Sequence, residues 1–238
     1  MKNQYDPRND HKEFYGKNGF LVIWPLLSPS ECKRIRSVYQ PYADKDFAAI
    51  KNIDRQLTEI HALLKDPRII QVIDNLQGCQ VNALMTQYLY KEAGSKYAAQ
   101  SWKPHQDNSY SEVKPYGAHL TINISLEDMD PENGGMYIYP GSHVEPILPF
   151  VPTPSFHEKD KSEDANPGNL VEIPEKYQRF NLIIPQGGML VLHGHTIHGS
   201  YPNLSPTRSR PMYSATYCNP GAEYTIGKNA HRERINVH

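Results

Sequence analysis

Cysteine is scarce in this chain, and the few cysteines present lie far apart. Only Cys32, Cys79 and Cys218 occur, and no two of them form a C-x-x-C pair. A disulfide-stapled scaffold and a zinc ribbon both need closely spaced cysteines, so the sequence excludes both. The three thiols are expected to be reduced, which favours a cytoplasmic protein.

A large net charge and a long apolar run are also missing. The formal net charge is -1 at pH 7 and the isoelectric point is near 6.8, which argues against nucleic acid or an anionic membrane as the main partner. No apolar stretch is long enough to span a bilayer, and residues 1–7 are too polar for a signal peptide. Lys228, His231, Arg232 and Arg234 form a small basic cluster, which we interpret as a solvated tail rather than a phosphate-binding patch.

Turn-forming residues, by contrast, are abundant. The chain holds 20 prolines and 15 glycines, which favours short strands and loops over a helical bundle. Its 16 tyrosines also favour strands. The 238 residues fit one domain, although the length alone would also allow two small ones.

Helical signals precede strand signals along the chain. Ser28-Pro29-Ser30-Glu31 has the pattern of a helix start, and apolar residues between 57 and 76 have helical spacing. Five later segments are rich in strand-forming residues, namely 83–90, 119–126, 136–139, 189–195 and 212–217. This order predicts a single domain over 1–238, with a helical buttress over about 1–80 and an antiparallel barrel or sandwich over about 81–220. The proline-rich, charged stretch 151–179 is either a lid over a site or a partly disordered loop.

One histidine–carboxylate pattern points to chemistry. His105 and Asp107 stand two apart, so on an extended segment both side chains face the same way. With a distant histidine they make the two-His, one-carboxylate set of a mononuclear non-haem Fe(II) site, which leaves one face of the metal open. His193 and His195 form an alternative pair on one strand face, but His198 is preferred as the third ligand.

The residues after His198 explain this preference. A turn follows it and leads towards Arg208 and Arg210. A metal-bound 2-oxoglutarate needs a cation for its distal carboxylate, and the planar fork of arginine suits that role better than lysine.

Several blocks of this sequence follow a known order, and two are specific: Glu132-Asn-Gly through Pro140-Gly-Ser-His143, and His198-Gly-Ser-Tyr-Pro-Asn203. Together with 19–23, 27–31, 102–107 and 187–193, they resemble the phytanoyl-CoA dioxygenase family over nearly the whole chain. The resemblance implies a mainly β, double-stranded β-helix (jelly-roll, cupin-like) fold. It also implies an enzyme that uses Fe(II), 2-oxoglutarate and O2, with His105, Asp107 and His198 as iron ligands.

The resemblance further implies which residues bind 2-oxoglutarate. The serine two residues after the last histidine, here Ser200, and a downstream arginine hold its far carboxylate. The family spacing falls on Ser209, between Arg208 and Arg210, so both arginines stay candidates, with Arg210 slightly favoured.

Two weaker candidates lie on predicted strands, and some motif residues are interpreted as structural. Thr121 corresponds to a hydroxyl that helps to hold 2-oxoglutarate, and Gln87 lies where the family often has a polar contact. His143 and the Asn133-Gly-Gly turn are interpreted as structural. Four aromatic residues are candidate pocket walls, namely Trp102, Tyr110, Tyr137 and Tyr139.

Asp107 also bears on the type of reaction. Halogenating relatives of this pattern carry Gly or Ala in place of the carboxylate, so hydroxylation of an unactivated C–H of a small-molecule substrate is expected, with succinate and CO2 as co-products. Desaturation, ring closure and epimerisation would leave the same motifs. Two other classes remain open: a catalytically silent jelly-roll that binds a metal or ligand, and a zinc hydrolase, which has no need of the distal arginine. The protein is expected to be a monomer or a homodimer.

Overall fold

Helices dominate the N-terminal part of the chain. The computed structural model describes residues 11–43, 49–95, 97–99, 101–153, 169–227 and 230–238. Its helices and 3-10 turns are α1 (His11–Asn18), α2 (Pro29–Tyr39), Gln40–Tyr42, Ile53–Arg55, α3 (Thr58–Leu64), α4 (Pro67–Gln77), α5 (Asn108–Ser111) and Ser142–Val144. None of the described helices is both long and apolar enough to cross a membrane.

The predicted helix start at Ser28 is confirmed as a reciprocal cap. The Glu31 backbone N–H donates to Ser28 Oγ at 3.3 Å, and the Ser28 N–H donates to the Glu31 carboxylate at 2.7 Å. Helix α4 also follows its sequence signals. It begins after the capping residue Asp66 and ends at Gln77, before the capping residue Gly78, whose φ of 70° suits glycine.

Strands are the main regular elements of the remainder. They are β1 (Phe20–Ile23), β2 (Ala49–Lys51), β3 (Asn82–Leu89), β4 (His119–Ser125), β5 (Met136–Ile138), β6 (Phe150–Pro152), β7 (Asn169–Val171), β8 (Phe180–Asn181), β9 (Met189–His193), β10 (His198–Ser200), β11 (Met212–Cys218) and β12 (Ile235–Asn236). All five predicted strand segments are present. Of the other strands, β1 coincides with a short apolar run that predicts a buried strand, and the rest have two or three residues each, too few to show a periodic pattern.

Two antiparallel sheets form the body of the fold. The main sheet has the order β1-β9-β4-β11-β3-β12, with β2 also paired to β3, and the smaller sheet has the order β10-β5-β8. One apolar cluster joins them, since it contains Leu190 and Leu192 of the main sheet together with Met136 and Ile138 of the smaller one. The predicted jelly roll is therefore confirmed, while the assignment of 1–238 to a single domain stays a prediction.

The main sheet separates two environments because side chains alternate along each strand. On β4, Leu120, Ile122 and Ile124 face the helices and join their apolar cluster. His119, Thr121 and Asn123 face the inside of the jelly roll. The helices therefore cover the outer face and leave the inner face for a site.

The stretch 151–179 is ordered where it meets the rest of the fold. Residues 150–152 and 169–171 form the two-stranded β6–β7 sheet, and the Val171 N–H donates to the Pro104 carbonyl at 3.0 Å, directly before His105. Residues 154–168 lie outside the described residues, so the choice between a lid and a loop stays open.

Candidate metal centre and cavity

Three predicted ligands meet at one point of the structure. One side-chain donor atom each of His105, Asp107 and His198 lies within 4.8 Å of the others. The Nε2 atoms of His105 and His198 are 3.5 Å and 3.4 Å from the same carboxylate oxygen, Asp107 Oδ1. Among the described residues this is the one group of three or more His, Cys, Asp or Glu side chains with such convergence.

Backbone hydrogen bonds hold the two histidines side by side. His105 and His198 form an isolated antiparallel bridge in which each N–H donates to the other's carbonyl, at 2.9 Å and 3.0 Å. The chain then turns, because Asp107 has helical φ and ψ and directly precedes α5. The extended segment expected through Asp107 is therefore wrong, although both side chains still reach the same point.

The other ring nitrogen of each histidine fixes its tautomer. His105 Nδ1 lies 2.6 Å from the Lys103 carbonyl, and His198 Nδ1 lies 2.9 Å from the Thr196 carbonyl. A carbonyl only accepts, so each Nδ1 must carry the hydrogen and each Nε2 presents a lone pair. Two imidazole lone pairs and one carboxylate on a buried site fit a divalent transition metal.

Charge in this cluster is concentrated on Asp107. Burial acts to raise its pKa, but contacts with His198 and His105 together outweigh burial and hold that pKa well below its usual range. Burial lowers the pKa of His105. The pKa of His198 is raised, because Asp107 more than offsets the effect of burial. An ionised carboxylate thus stands between two imidazoles, an arrangement that attracts a cation.

The three donors open onto a cavity inside the jelly roll. It has a volume of about 910 Å³, part of which is open to solvent. Strands β3, β4 and β11 contribute inward-facing side chains, namely Met85, Gln87, Leu89, His119, Thr121, Asn123, Met212, Ser214 and Thr216. Trp102 and Tyr110 also line the cavity, whereas Tyr137 and Tyr139 pack in a separate cluster with Val171 and Ile197.

The structure separates the two candidate arginines. Arg210 is 2% exposed and lines the cavity, with its Nε donating to the Gly134 carbonyl at 3.2 Å. Among the described residues no carboxylate lies within ion-pair distance of it. Arg208 instead donates to both carboxylate oxygens of Asp130 at 2.8 Å and does not line the cavity. Arg208 therefore has a carboxylate partner within the protein, which favours Arg210 as the arginine for 2-oxoglutarate.

Lys91 is a second buried cation near Arg210 that the sequence analysis missed. Its Nζ donates to Ser200 Oγ at 2.8 Å, to the Gly134 carbonyl at 3.5 Å and to the Tyr201 carbonyl. Burial lowers its pKa well below the usual range, and Arg210 adds to that shift. An anion at this end of the cavity would offset both the burial of the Lys91 ammonium and its repulsion by Arg210. The only signal in the sequence is a lysine directly after an apolar strand.

The two weaker candidates also line the cavity. Thr121 is buried, and its hydroxyl has no hydrogen-bond partner in the structure. Gln87 lies on β3, opposite Ser214 of β11. A buried hydroxyl without a partner is costly unless a ligand completes it.

The alternative ligand pair, His193 and His195, lies apart from this cluster. The His195 N–H donates to His193 Nδ1 at 3.1 Å, and the His195 ring bonds to the Glu145 carbonyl and to Asn108. His143 Nε2 bonds to the Gly16 carbonyl at 3.0 Å, as a structural residue would. These rings brace the loops around the cavity.

The basic cluster near the C-terminus is only partly a solvated tail. His231 and Arg234 are exposed, and Lys228 lies outside the described residues. Arg232 is 5% exposed and lines the cavity, so the tail interpretation is wrong for it. Strand β12 draws the segment onto β3, and no local pattern in the sequence indicates that pairing.

Comparison with known proteins settles the family. The family model for phytanoyl-CoA dioxygenase (PhyH) matches residues 15–212. The chain belongs to the phytanoyl-CoA dioxygenase family. It is 22% identical over 253 residues to the peroxisomal phytanoyl-CoA dioxygenase of Rattus norvegicus. The aligned region covers 95% of this chain and 72% of that protein. It is 30% identical over 153 residues to phytanoyl-CoA dioxygenase domain-containing protein 1 of Bos taurus. That alignment covers 61% of this chain and 48% of the bovine protein.

Solved structures share the fold of this family member. The epimerase SnoN in complex with Fe3+, alpha ketoglutarate and nogalamycin RO superposes with a TM-score of 0.73 at 19% identity, over 96% of this chain and 94% of SnoN. The alpha-ketoglutarate-dependent carbocyclase SnoK superposes with a TM-score of 0.72 at 21% identity, over 92% of this chain and 87% of SnoK. The predicted family and fold are both confirmed.

Proposed function

We propose that this protein is an Fe(II)- and 2-oxoglutarate-dependent oxygenase that hydroxylates an unactivated C–H of a small molecule. One observation carries the proposal. A single cavity holds both a convergent His105–Asp107–His198 donor set and a buried Arg210 with no carboxylate partner among the described residues.

Iron and 2-oxoglutarate are the cofactors that this cavity suits. His105, Asp107 and His198 would hold the metal, with both Nε2 lone pairs already presented by their hydrogen bonds to carbonyls. Once bound, iron with 2-oxoglutarate and O2 supplies the oxidising power of the reaction, and succinate and CO2 are the co-products.

The protein's own part is to bind the co-substrate and to exclude water. Arg210 would pair with the distal carboxylate of 2-oxoglutarate through its planar fork. Ser200 and Lys91, hydrogen-bonded at 2.8 Å, would complete that end, and the partnerless Thr121 hydroxyl would donate to the bound acid. Gln87 would add a polar contact from β3.

The fold does not choose the reaction, since related structures include an epimerase and a carbocyclase. Asp107 favours hydroxylation over halogenation, because its carboxylate occupies the ligand position that a halide would need. The second candidate, a jelly roll that binds these ligands without turnover, would keep every contact described here.

The test is anaerobic addition of Fe(II) and 2-oxoglutarate to metal-free protein. We expect the weak visible charge-transfer band of a metal-bound 2-oxo acid. His198→Ala should abolish that band, and under O2 it should lower succinate formation by at least about a thousandfold. His193→Ala, which removes a neighbouring buried histidine outside the cluster, should keep both.

Each component of the proposal has its own contrary result. A band without succinate from any small molecule in a substrate screen would indicate the silent binding protein. No band from folded wild-type protein would overturn the cofactor assignment. Loss of the band in His193→Ala would overturn the assignment of ligands.

A further inference from the structure

His119, the first residue of β4, lines the cavity and is only 2% exposed. One of its two ring nitrogens, Nε2, is buried and has no hydrogen-bond partner in the structure. A buried polar atom without a partner is costly, and proteins rarely leave one. Which partner suits Nε2 depends on whether this nitrogen carries a hydrogen, and the neighbouring hydrogen bonds decide that.

The side-chain amide of Asn108 places the hydrogen on the other ring nitrogen of His119. Asn108 Oδ1 accepts from the Val113 N–H at 2.8 Å, and Asn108 Nδ2 donates to the Val113 carbonyl at 3.1 Å, so only one orientation of the amide fits. His119 Nδ1 lies 2.9 Å from that same Oδ1, which only accepts. His119 Nδ1 therefore carries a hydrogen and donates it.

His195 requires the same orientation of the Asn108 amide. His195 Nδ1 lies 2.9 Å from the Glu145 carbonyl and must donate, so its Nε2 is an acceptor, 3.1 Å from Asn108 Nδ2. The amide nitrogen thus faces His195 and the amide oxygen faces His119. Burial lowers the pKa of His119 to about 4, so its ring is neutral at pH 7 and holds one hydrogen. His119 Nε2 is consequently a lone-pair acceptor.

The packing of the His119 ring leaves Nε2 on the side of the cavity. A Cβ added to Gly194 would lie 2.4 Å from His119 Nδ1 and 2.7 Å from its Cγ, so the backbone of Gly194 covers that edge of the ring. The Gly194 N–H also donates to the His119 carbonyl at 2.9 Å. Nε2 is the ring atom opposite the covered Cγ–Nδ1 bond, and it belongs to the part of the ring left to face the cavity.

Neither 2-oxoglutarate nor the metal completes this atom. Met212 of β11 pairs with Ser125 at the end of β4, whereas His119 is at its start. Arg210, two residues before Met212, therefore enters the cavity about 20 Å along β4 from His119. The short diacid held at Arg210 also has no N–H or O–H to donate once it is ionised. His119 is not in the group of side chains whose donor atoms lie within 4.8 Å of one another, so it does not complete the metal centre.

We propose that the substrate is a small polar molecule that donates a hydroxyl or an N–H hydrogen bond to His119 Nε2. This inference rests on the proposed function and names its substrate class. The donor is held on the metal side of the cavity, because Asn108, which fixes the ring, directly follows Asp107. A hydrocarbon chain at this position would leave Nε2 unpaired, and an ether or carboxylate oxygen would set one lone pair against another.

The first measurement is nitrogen NMR of the histidine rings in protein loaded with Zn(II) and 2-oxoglutarate, since Zn(II) is diamagnetic and inert to O2. The His119 signals are assigned by their loss in His119→Gln. In the wild type we expect a hydrogen on Nδ1 of His119 and none on Nε2.

Matched probes are then titrated into the same protein. They are cyclohexanol with methoxycyclohexane, benzyl alcohol with benzyl methyl ether, and benzamide with N,N-dimethylbenzamide. Each methylated partner keeps the acceptor and the carbon frame but cannot donate. We expect at least one donor to shift the Nε2 resonance of His119 and to bind about tenfold or more tightly than its methylated partner.

Three variants connect that preference to His119. His119→Phe keeps a ring without the acceptor and should remove the preference. His119→Gln should retain part of it, because its side-chain oxygen can accept. His193→Phe is the matched control, the same exchange at a buried histidine that does not line the cavity, and it should bind like wild type.

Contrary outcomes are distinct from failure of the proposed function. The charge-transfer band with Fe(II) is recorded first, and its absence from folded wild type would overturn both proposals. With the band present, the substrate class alone is overturned by a hydrogen on His119 Nε2, by equal or undetectable binding of donors and methylated partners, or by a preference that survives in His119→Phe. If His119→Phe does not fold, the wild-type spectrum decides. A Nε2 resonance that no donor moves, as when a bound water already completes it, overturns the proposal.

Discussion

The two faces of the main sheet are equally buried and chemically opposite. On β4 and β11 the outer face consists of Leu120, Ile122, Ile124, Tyr213, Ala215 and Tyr217, each at most 1% exposed. The inner face of the same strands consists of His119, Thr121, Asn123, Met212, Ser214 and Thr216, each at most 6% exposed. Burial alone therefore does not separate the core from the site.

The difference lies in what each face meets. The outer face packs against the helices in one apolar cluster, where each side chain is covered by other side chains. The inner face meets a cavity, and two of its polar atoms, His119 Nε2 and Thr121 Oγ1, have no partner in the structure. The outer face also holds an unpaired buried oxygen, that of the Tyr213 hydroxyl, but side chains enclose it, whereas His119 and Thr121 line a space that a ligand can enter.

Removing the positive charge of Arg210 should produce the largest effect. Arg210→Gln is expected to weaken 2-oxoglutarate binding by roughly a thousandfold, because it leaves the distal carboxylate buried without its cation. Titration followed by the charge-transfer band measures this. Arg208→Gln is the matched control, since it breaks only the ion pairs with Asp130 and Glu132, outside the cavity, and should leave the affinity unchanged. Equal losses in the two variants would contradict the placement of Arg210.

Truncation of the outer face should affect stability instead. Ile122→Ala removes a fully buried side chain from the helix-facing cluster and should lower the free energy of unfolding by about 2–4 kcal/mol. Urea denaturation measures the loss. The affinity of the folded protein for 2-oxoglutarate should stay within about twofold of wild type. A large loss of affinity without loss of stability would erase the distinction between the two faces.

The smallest effect is expected when one threonine on each face is replaced by valine, which exchanges a hydroxyl for a methyl group. Thr121→Val should leave stability unchanged, because the hydroxyl has no protein partner, and should weaken 2-oxoglutarate binding by about threefold to tenfold. Thr86→Val on the outer face should do the reverse. The Thr86 hydroxyl donates to buried Asp54, so its loss should cost about 1–3 kcal/mol of stability.

These two threonine variants are measured side by side, by urea denaturation and by 2-oxoglutarate titration. The result that would contradict the comparison is a loss of stability in Thr121→Val as large as that in Thr86→Val. It would show that the inner-face hydroxyl is satisfied within the protein.

Local signals in the sequence were sufficient for many of the elements. The cap at Ser28, the helical spacing from Ile69 to Leu76 and the alternation along β4 each depend on residues close in the chain, and each predicted its element. Apart from β5 and the apolar run of β1, the short strands were not predicted, since two or three residues show no period. His198 is on such a strand, so its own conformation was missed although its role as a candidate ligand was not.

The sequence by itself predicted the longer helices, the long strands, the family and the three candidate ligands, because residue type, spacing and order carry that information. Only the tertiary structure showed that Arg210 lines the cavity while Arg208 pairs with Asp130, and only it revealed Lys91, His119 and Arg232 around the cavity. The physical reason is the distance in sequence between the groups that interact. Which cation is buried and which is paired depends on groups far away in the chain, such as Asp130 for Arg208 and β3 for the segment that carries Arg232.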